Sequence, residues 1–147
     1  MAIRRFKKED AEACSKIIFE DISRNKHIQE DSKNRIYRES TPDQLIKRMK
    51  SFNYLVYRKN KRILGIGALH GREVRTMYIH HNFQGKGIGS QILKAIESMA
   101  KKKKIKKLFL YTHTKPSKFY LKNGWNTIKK YKNNKGKTVF YMEKRMK

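Results

Sequence analysis

The alternation of apolar and polar residues predicts seven strands and at least two helices before any chemistry is considered. Apolar residues recur at helical spacing at positions 14, 17, 18 and 22, and again between residues 88 and 99. Other apolar stretches have strand character and are separated by glycine or asparagine turns. The predicted order of elements is β-α-α-β-β-β-α-β-α-β-β, with no internal repeat or linker.

The predicted boundaries follow local start and stop signals. Thr41 is predicted as a helix N-cap, with Pro42 as the first helical residue and Gln44 closing a capping box. Residues 24–40 are polar and irregular, and they are compatible with either a loop or a short second helix. The predicted helices cover residues 9–23, 41–51, 88–102 and 116–123, and the predicted strands cover 2–6, 53–58, 62–70, 73–80, 107–112, 125–131 and 138–142.

Length and cysteine content restrict the class of protein. At 147 residues the chain is expected to form one domain, residues 1–147, with a single core. It has no apolar run of membrane length, and its N-terminus lacks the apolar stretch of a signal peptide. Its single cysteine, Cys14, excludes an internal disulfide and a cysteine metal cluster, and is expected in the core of the first helix. We therefore expect a soluble, cytoplasmic protein without a membrane partner.

The net charge of +26 is the strongest compositional feature. Residues 1–50 contain 13 basic and 9 acidic residues, residues 51–100 contain 8 and 2, and residues 101–147 contain 17 and 1. Such a surface attracts polyanions, and both nucleic acid and coenzyme A are polyanions. A run such as Lys101 to Lys104 is also typical of a solvated helix end. Nucleic acid and a second copy of the chain therefore stay open as partners.

The stretch from Gln84 to Ser90 carries the clearest chemical signal. Three glycines separate a predicted strand from an amphipathic helix, so the backbone can approach a ligand closely beside the positive end of the helix dipole. This arrangement predicts a phosphate site. The stretch matches neither G-x-x-x-x-G-K-[ST] nor a well-placed dinucleotide fingerprint. It does match [QR]-x-x-G-x-[GA] at Gln84, Gly87 and Gly89.

That pattern resembles the pyrophosphate loop of the GNAT superfamily of acyl-CoA N-acyltransferases. A second motif, Phe119 to Trp125, resembles the family's F-Y-x-x-x-G-[FW] and follows the fifth strand, where the family places it. The resemblance covers essentially the whole chain. It implies an α/β (α+β) GNAT fold with a central mixed, mostly antiparallel sheet flanked by helices. It also implies an acetyl-CoA-dependent N-acetyltransferase that transfers an acetyl group to a primary amine by direct attack in a ternary complex.

The resemblance assigns roles to particular residues. Backbone groups of Met77, Tyr78 and Ile79 are expected to hold the pantetheine arm and the acetyl carbonyl of acetyl-CoA. Tyr120 takes the position of the tyrosine that protonates the departing CoA thiolate. His113, which stands where many members have asparagine, is expected to contact the cofactor. The residues implied for the pyrophosphate are Gln84, Gly85, Lys86, Gly87, Ile88, Gly89 and Ser90.

The general base is the most open assignment. Glu73 lies eleven residues before Gln84, which is the spacing of the base in histone-acetylating members. His80, followed by His81, is the competitor. In a regular strand Glu73 shares a face with Met77 and Ile79, while His80 lies on the other face, although the family has a bulge in this strand. An ordinary ion pair of Glu73 with a neighbouring arginine is the alternative.

The remaining patterns limit the chemistry. The chain has no G-x-S-x-G motif and no cysteine in a reactive context, which fits direct transfer without a covalent intermediate. Its five histidines lack metal-ligand spacing beyond the adjacent His80 and His81, so no metal is predicted. The rival hypothesis is a basic nucleic-acid-binding or ribosome-associated module with a degenerate acyl-CoA site. A pyrophosphate loop followed by a correctly spaced Tyr120 favours the enzyme.

Overall fold

The computed structural model describes residues 2–147 and has seven strands and five α-helices in that range. None of the helices in this range is both long and apolar enough to cross a membrane. Short 3₁₀ turns precede α1 and follow β4. The elements are β1 (Ile3–Arg5), α1 (Ala11–Arg24), α2 (Glu30–Glu39), α3 (Pro42–Arg48), β2 (Asn53–Lys59), β3 (Arg62–His70), β4 (Glu73–Ile79), α4 (Ile88–Lys102), β5 (Lys107–Thr112), α5 (Thr114–Lys122), β6 (Asn126–Lys132) and β7 (Thr138–Arg145).

All seven strands form one mixed sheet in the order β1-β2-β3-β4-β5-β7-β6. Every neighbouring pair is antiparallel except β4 and β5, which are parallel. Parallel neighbours need a crossover connection, and α4 supplies it between these two strands. The mixed, mostly antiparallel sheet flanked by helices confirms the predicted fold class.

Helices cover the sheet on both faces and form two apolar layers. The α1 stripe of Cys14, Ile17, Ile18 and Ile22 packs against one face of β2 and β3. The α4 stripe, including Ile92, packs against the opposite face together with α5. Burial raises the pKa of the Cys14 thiol to about 12, so this cysteine is an inert core residue, as expected.

The second and third helices show what local signals could predict. The hydroxyl of Thr41 accepts a hydrogen bond from the Gln44 N–H at 3.3 Å, which confirms the predicted helix start. Residues 30–39 form a full helix, so the chain has one more helix before β2 than the predicted order. That helix has no fully buried residue. It is held by contacts such as the Tyr37 ring, 4.8 Å from the Phe19 ring of α1, and such contacts leave no periodic apolar pattern.

An ion pair fixes the first strand to the start of α1. Arg4 donates two hydrogen bonds to the Asp10 carboxylate, at 2.7 and 2.9 Å, and the Lys7 N–H donates a third at 2.8 Å. Asp10 is only 5% exposed. Burial opposes its ionisation, but the hydrogen bonds from Arg4 and Lys7 outweigh burial and lower its pKa.

We expect Asp10→Asn to reduce the free energy of unfolding by about 3 kcal/mol near neutral pH, because Arg4 would lose its charged partner. A carboxyl group with a lowered folded-state pKa stabilises the protein above its ordinary pKa of 3.8 and loses this effect as the pH falls through the folded-state value. The difference in the free energy of unfolding between Asp10→Asn and wild type should therefore shrink below about pH 4.

Urea denaturation at several pH values measures this difference. Glu9→Gln, which removes an exposed carboxylate next to Asp10, serves as the charge-matched control. A difference between Asp10→Asn and wild type that stays constant from pH 7 to pH 3 would contradict the assignment.

Candidate active site

Strands β4 and β5 pair at only one register position, Glu73 with Phe109. The Phe109 N–H also donates to the Arg72 carbonyl at 3.0 Å. Both strands continue beyond this point, to Ile79 and Thr112, without further pairing. The C-terminal half of β4 therefore presents a backbone edge toward β5, and a ligand can pair with that edge. This opening lies at the carboxyl ends of two parallel strands, which is a common place for ligand sites in open sheets.

A β-bulge in β4 determines which side chains face the opening from each side. The register against β3 shifts between Gly67 and Ala68, so Thr76 is an extra residue in β4, with φ +55°. After the bulge the Met77 sulfur lies on the α4 side of the sheet, 3.4 Å from the position that a Cβ on Gly67 would take.

Before the bulge, the Arg75 guanidinium lies 5.4 Å from the Phe52 ring centroid on the α1 side. Glu73 shares the face of Arg75, so it lies opposite Met77 and Ile79. The alternation of a regular strand, which would put Glu73 on their face, does not hold, and the bulge that the family resemblance implied for this strand is present. The extra residue at position 76 reverses the alternation, and Glu73 shares a face with Tyr78 instead.

The glycine stretch forms an open cradle at the start of α4. Gly85 and Gly87 have φ of +76° and +85°, which few residues other than glycine adopt, and Gly87 is the N-cap of the helix. A Cβ added at either glycine would meet no atom within 4 Å, so the space above the turn is free for a ligand. The first N–H groups of α4, from Ile88, Gly89 and Ser90, have no intrahelical partner and point toward this space.

Gly89 is required by close packing against Phe119 rather than by a positive φ. Its φ is not positive, and a Cβ there would lie 3.2 Å from the Phe119 ring. Phe119 in turn belongs to the apolar layer around α4. Ile88 is buried in the same layer, so only its backbone N–H is available to a ligand. Of the predicted pyrophosphate residues, Gly85 and Gly87 line the open space directly.

The side chain of Gln84 points away from the cradle. Its amide nitrogen donates to the Ile79 carbonyl and to the Asp21 carboxylate, both at 3.2 Å. Gln84 therefore fastens the glycine turn to the end of β4 and to α1. Burial raises the pKa of Asp21, while the hydrogen bond from Gln84 opposes this rise.

Asp21 is absent from the predicted site, although the sequence carries a signal for it. Position 21 lies four residues after Ile17 and three after Ile18, on the buried stripe of α1. A carboxylate on such a stripe indicates a specific partner.

Cations and an aromatic ring flank the cradle. The Lys86 ammonium lies 5.8 Å from the centre of the Phe83 ring, and the Arg62 guanidinium lies 5.5 Å from it. Phe83 packs partly into the α4 layer. The cradle therefore combines helix N–H groups with positive side chains, which suits a phosphate or pyrophosphate.

Tyr120 lies on the buried side of α5, 8% exposed. Its ring makes edge contacts with the rings of Phe119 and Trp125, at centroid distances of 5.0 and 6.0 Å. Burial raises its pKa to about 12, so the hydroxyl keeps its proton at neutral pH and can donate it.

Across the opening, burial also raises the pKa of Tyr78, with smaller contributions from Asp21 and from Tyr120. The structure thus brings Asp21, Tyr78 and Tyr120 toward one region. These residues belong to three different elements, α1, β4 and α5.

His113 is the N-cap residue of α5, and its Nδ1 lies 3.3 Å from the Thr138 carbonyl of β7. The ring is therefore engaged with the start of β7. Its predicted cofactor contact stays a prediction.

The two candidates for the general base differ in their surroundings. No carboxylate–arginine pair joins Glu73 to Arg72 or Arg75 within 4 Å in the described part of the chain, and Arg75 stacks on Phe52 instead. The alternative of a neighbouring ion pair is therefore not what the structure shows. Glu73 is half-buried.

Both ring nitrogens of His80 face hydrogen-bond donors. Its Nδ1 accepts from the Asn82 N–H at 3.2 Å, and its Nε2 lies 3.3 Å from an Arg62 nitrogen. A neutral imidazole has one accepting nitrogen, so protonation would break whichever hydrogen bond that nitrogen accepts. Burial, followed by the charges of His81 and Arg62, lowers the pKa of His80. These contacts disfavour a proton on His80.

The fold also brings together a cluster of potential metal-ligand side chains that the sequence did not predict. Glu20 of α1 approaches His80 and His81, with one potential ligand atom from each within 4.8 Å of the others. The Glu20 carboxylate lies 3.3 Å from His81 Nδ1. Lysines and arginines, including Lys16 and Arg62, line the same cavity of about 670 Å³, and their charge opposes the binding of a cation.

Comparisons with known proteins agree with this geometry. A family model described as an acetyltransferase (GNAT) domain matches residues 10–146. A search of curated proteins finds no significant match.

Many solved structures share the fold. A GCN5-related N-acetyltransferase from Rhodopseudomonas palustris superposes with a TM-score of 0.84 at 18% identity, covering 98% of this chain and 94% of that one. The PaiA N-acetyltransferase from Thermoplasma acidophilum, solved with coenzyme A, gives 0.79 at 23% identity and 97% coverage of both chains. A ribosomal-protein-alanine N-acetyltransferase from Brucella melitensis gives 0.80 at 16% identity and 99% coverage of both chains.

Proposed function

The chain belongs to the GNAT acetyltransferases, and from this premise we propose that it transfers an acetyl group from acetyl-CoA to a primary amine, with residues 1–147 acting as one N-acetyltransferase domain. The observation that carries the proposal is the open, positive-φ glycine turn at the N-terminus of α4, next to the unpaired edge of β4. A nucleic-acid-binding module with no enzymatic role would need neither feature.

The proposed position of acetyl-CoA follows from these two features. The pyrophosphate lies on the turn of Gly85 and Gly87 and on the first N–H groups of α4, with Lys86 close by. The pantetheine arm runs along the edge of β4, where backbone groups of Met77, Tyr78 and Ile79 are available for pairing. A backbone N–H of this edge stabilises the negative charge that develops on the thioester oxygen.

Transfer proceeds by direct attack. The free amine attacks the thioester carbonyl, a C–N bond forms, the C–S bond breaks, and the CoA thiolate leaves. The amine approaches from the α1 side of the sheet, where Glu73 and Tyr78 lie. An alkylamine has a pKa of about 10.4 and is mostly protonated at neutral pH, so a base must remove a proton before or during attack.

Tyr120 donates its hydroxyl proton toward the sulfur as the C–S bond breaks. A phenol with a pKa of about 12 is a weaker acid than a thiol, so the donation assists the transition state as negative charge grows on sulfur. Glu73 then releases the amine proton to solvent and Tyr120 takes a proton back from solvent, so both groups return to their starting states and the products are the amide and the CoA thiol.

We propose Glu73 as the general base, acting through water. Its carboxylate forms no ion pair within 4 Å among residues 2–147, whereas a proton on His80 would break an existing hydrogen bond. Glu73→Gln should therefore lower turnover by about 10²-fold or more near pH 7. The loss should shrink as rising pH deprotonates the amine in solution.

The measurement is turnover of Glu73→Gln, His80→Ala and wild type from pH 6.5 to pH 10 at saturating acetyl-CoA. A constant ratio of variant to wild-type rate would remove Glu73 from the role of base. A greater loss in His80→Ala at neutral pH would transfer the role to His80.

The acceptor needs a direct screen. Thermal-shift measurements with acetyl-CoA and with coenzyme A test the cosubstrate first. An acceptor panel then includes short peptides with N-terminal alanine and aminoglycosides, because structural neighbours include a ribosomal-protein-alanine N-acetyltransferase and aminoglycoside 6'-N-acetyltransferases. Simple alkylamines complete the panel. A folded protein that gives no thermal shift with acetyl-CoA would contradict the proposed function.

A further inference from the structure

Among residues 2–147, no helix packs across one face of the C-terminal half of the sheet, although the start of α2 touches the β6–β7 turn through the Asp31–Lys135 ion pair. The strands β5, β7 and β6 bury Leu108, Leu110 and Met142 on the side of α4 and α5. On the other side Tyr111 is 54% exposed and Tyr131 is 43% exposed. Every residue of β6 is exposed. We call this side, which carries Phe109, Tyr111, Tyr131 and Tyr141, the open sheet face.

Aromatic rings form the centre of the open sheet face. Tyr111 and Tyr141 are register partners on neighbouring strands, with ring centroids 5.2 Å apart. The Phe109 ring lies 5.9 Å from Tyr141 and 6.0 Å from Tyr111. The Tyr141 hydroxyl donates to the Glu143 carboxylate at 2.7 Å, which orients its ring.

Cations border these rings. Lys129 is the register partner of Tyr141, and Lys107 pairs with Arg145 at the other end of the face. Glu143 is the only acidic residue after position 100. It is already engaged by Tyr141 and by Lys107, whose ammonium lies 3.5 Å away. The open sheet face is therefore an aromatic centre bordered mainly by cations. Its acid Glu143 already has partners, and Glu73 of β4, the register partner of Phe109, lies at its edge toward β4.

We propose that the open sheet face binds single-stranded RNA. Exposed aromatic rings provide surfaces on which unpaired bases stack, and the flanking cations neutralise phosphates. An RNA duplex hides its base faces and cannot use the rings. A second copy of the chain would bring one net charge of +26 against another, so charge complementarity selects a polyanion. This surface lies outside the glycine turn and the Met77–Ile79 edge that hold acetyl-CoA in the proposed function, and it adjoins Glu73 through the register pair with Phe109.

Fluorescence anisotropy of the full chain with a labelled 12-nucleotide RNA of mixed sequence tests the proposal. Tyr111→Ala should weaken binding by roughly 5- to 150-fold, the range for loss of one stacked base. Tyr111→Phe, which keeps the ring, should bind like wild type. Because the Tyr111 side chain is mostly exposed, both variants should stay folded; Tyr111→Phe should keep the thermal midpoint and Tyr111→Ala, which loses ring contacts with Phe109 and Tyr141, should lower it only slightly.

Charge variants distinguish RNA binding at the open sheet face from general electrostatic attraction to a basic protein. Lys129→Gln should lower the slope of log K against log salt by about 0.7, the value for one phosphate contact on a single strand. Lys103→Gln removes an equal charge from the exposed end of α4 and should leave the slope unchanged.

Equal RNA affinity of Tyr111→Ala and wild type would overturn the proposal, and so would equal affinity of the protein for a duplex of the same sequence. Equal effects of the two lysine variants on the salt slope would also overturn it. The fourth contrary result is binding to anionic phosphatidylglycerol vesicles that depends on Tyr111 while RNA binding does not. Acetyl-CoA thermal shifts of the same variants report on the proposed function separately.

Discussion

Gly87→Val is expected to weaken acetyl-CoA binding by about 100-fold or more while the protein stays folded. The valine side chain would occupy the empty space above the turn, where no protein atom lies within 4 Å of a Cβ. It would also disfavour the positive φ of 85° that aims the first N–H groups of α4. Losing two charge-assisted hydrogen bonds of about 1.5 kcal/mol each accounts for a factor of this size.

The matched control for Gly87→Val is Gly136→Val, in the turn between β6 and β7. Gly136 also has a positive φ, of 76°, and open space at its Cβ, so both variants carry similar backbone strain. Calorimetric titration with acetyl-CoA should show a large loss only for Gly87→Val. Equal affinity of Gly87→Val and wild type, or equal losses in the two variants, would place the pyrophosphate elsewhere.

Tyr120→Phe is expected to reduce turnover by about 10²- to 10⁴-fold with little change in acetyl-CoA affinity. The substitution removes only the hydroxyl and keeps the ring contacts with Phe119 and Trp125. A change confined to turnover identifies a group that acts in the transition state rather than in ground-state binding. Steady-state kinetics at saturating acetyl-CoA, together with calorimetry, measure the two quantities.

Tyr54→Phe is the control for Tyr120→Phe. Tyr54 is another buried tyrosine whose pKa is raised to about 12, and it packs between Phe6 and Phe52 in the layer beside α1. It should leave turnover unchanged. If Tyr120→Phe also kept the wild-type turnover number, Tyr120 would be a packing residue only.

Local patterns predicted most of the secondary structure correctly. The caps at Thr41 and the stripes of α1 and α4 are confirmed because helix starts and buried helix faces depend on residues three and four apart. The sequence left residues 24–40 open between a loop and a short helix, because the stability of α2 comes from contacts such as Tyr37 on Phe19 rather than from an apolar stripe. It also missed that Glu97 is buried within the α4 stripe, where it accepts from Trp125 Nε1 at 3.1 Å and from Lys144 at 2.9 Å.

Some features of the candidate site could likewise be predicted from the sequence, and others could not. The glycine turn is readable from the sequence because positive φ and a helix start are local properties, and Gly85 and Gly87 have the expected conformation. The side-chain direction of Gln84 is not readable, because its partners Asp21 and Ile79 lie on other elements. Nor can the sequence show that Glu20 meets His80 and His81, which are sixty residues away in the chain.

The sequence by itself determined the order of the strands and of every helix except α2, the glycine turn, and the position of Tyr120 after the fifth strand. Only the tertiary structure decided the side of the sheet on which Glu73 lies, because one extra residue, Thr76, reverses the alternation of β4. It also decided that β4 and β5 separate after one register pair and that Phe109, Tyr111 and Tyr141 share an open face. The bulge lies in the hairpin of β3 and β4, whereas the other two features arise from pairing between strands that are distant in the chain. All three depend on register and packing rather than on neighbouring residues alone.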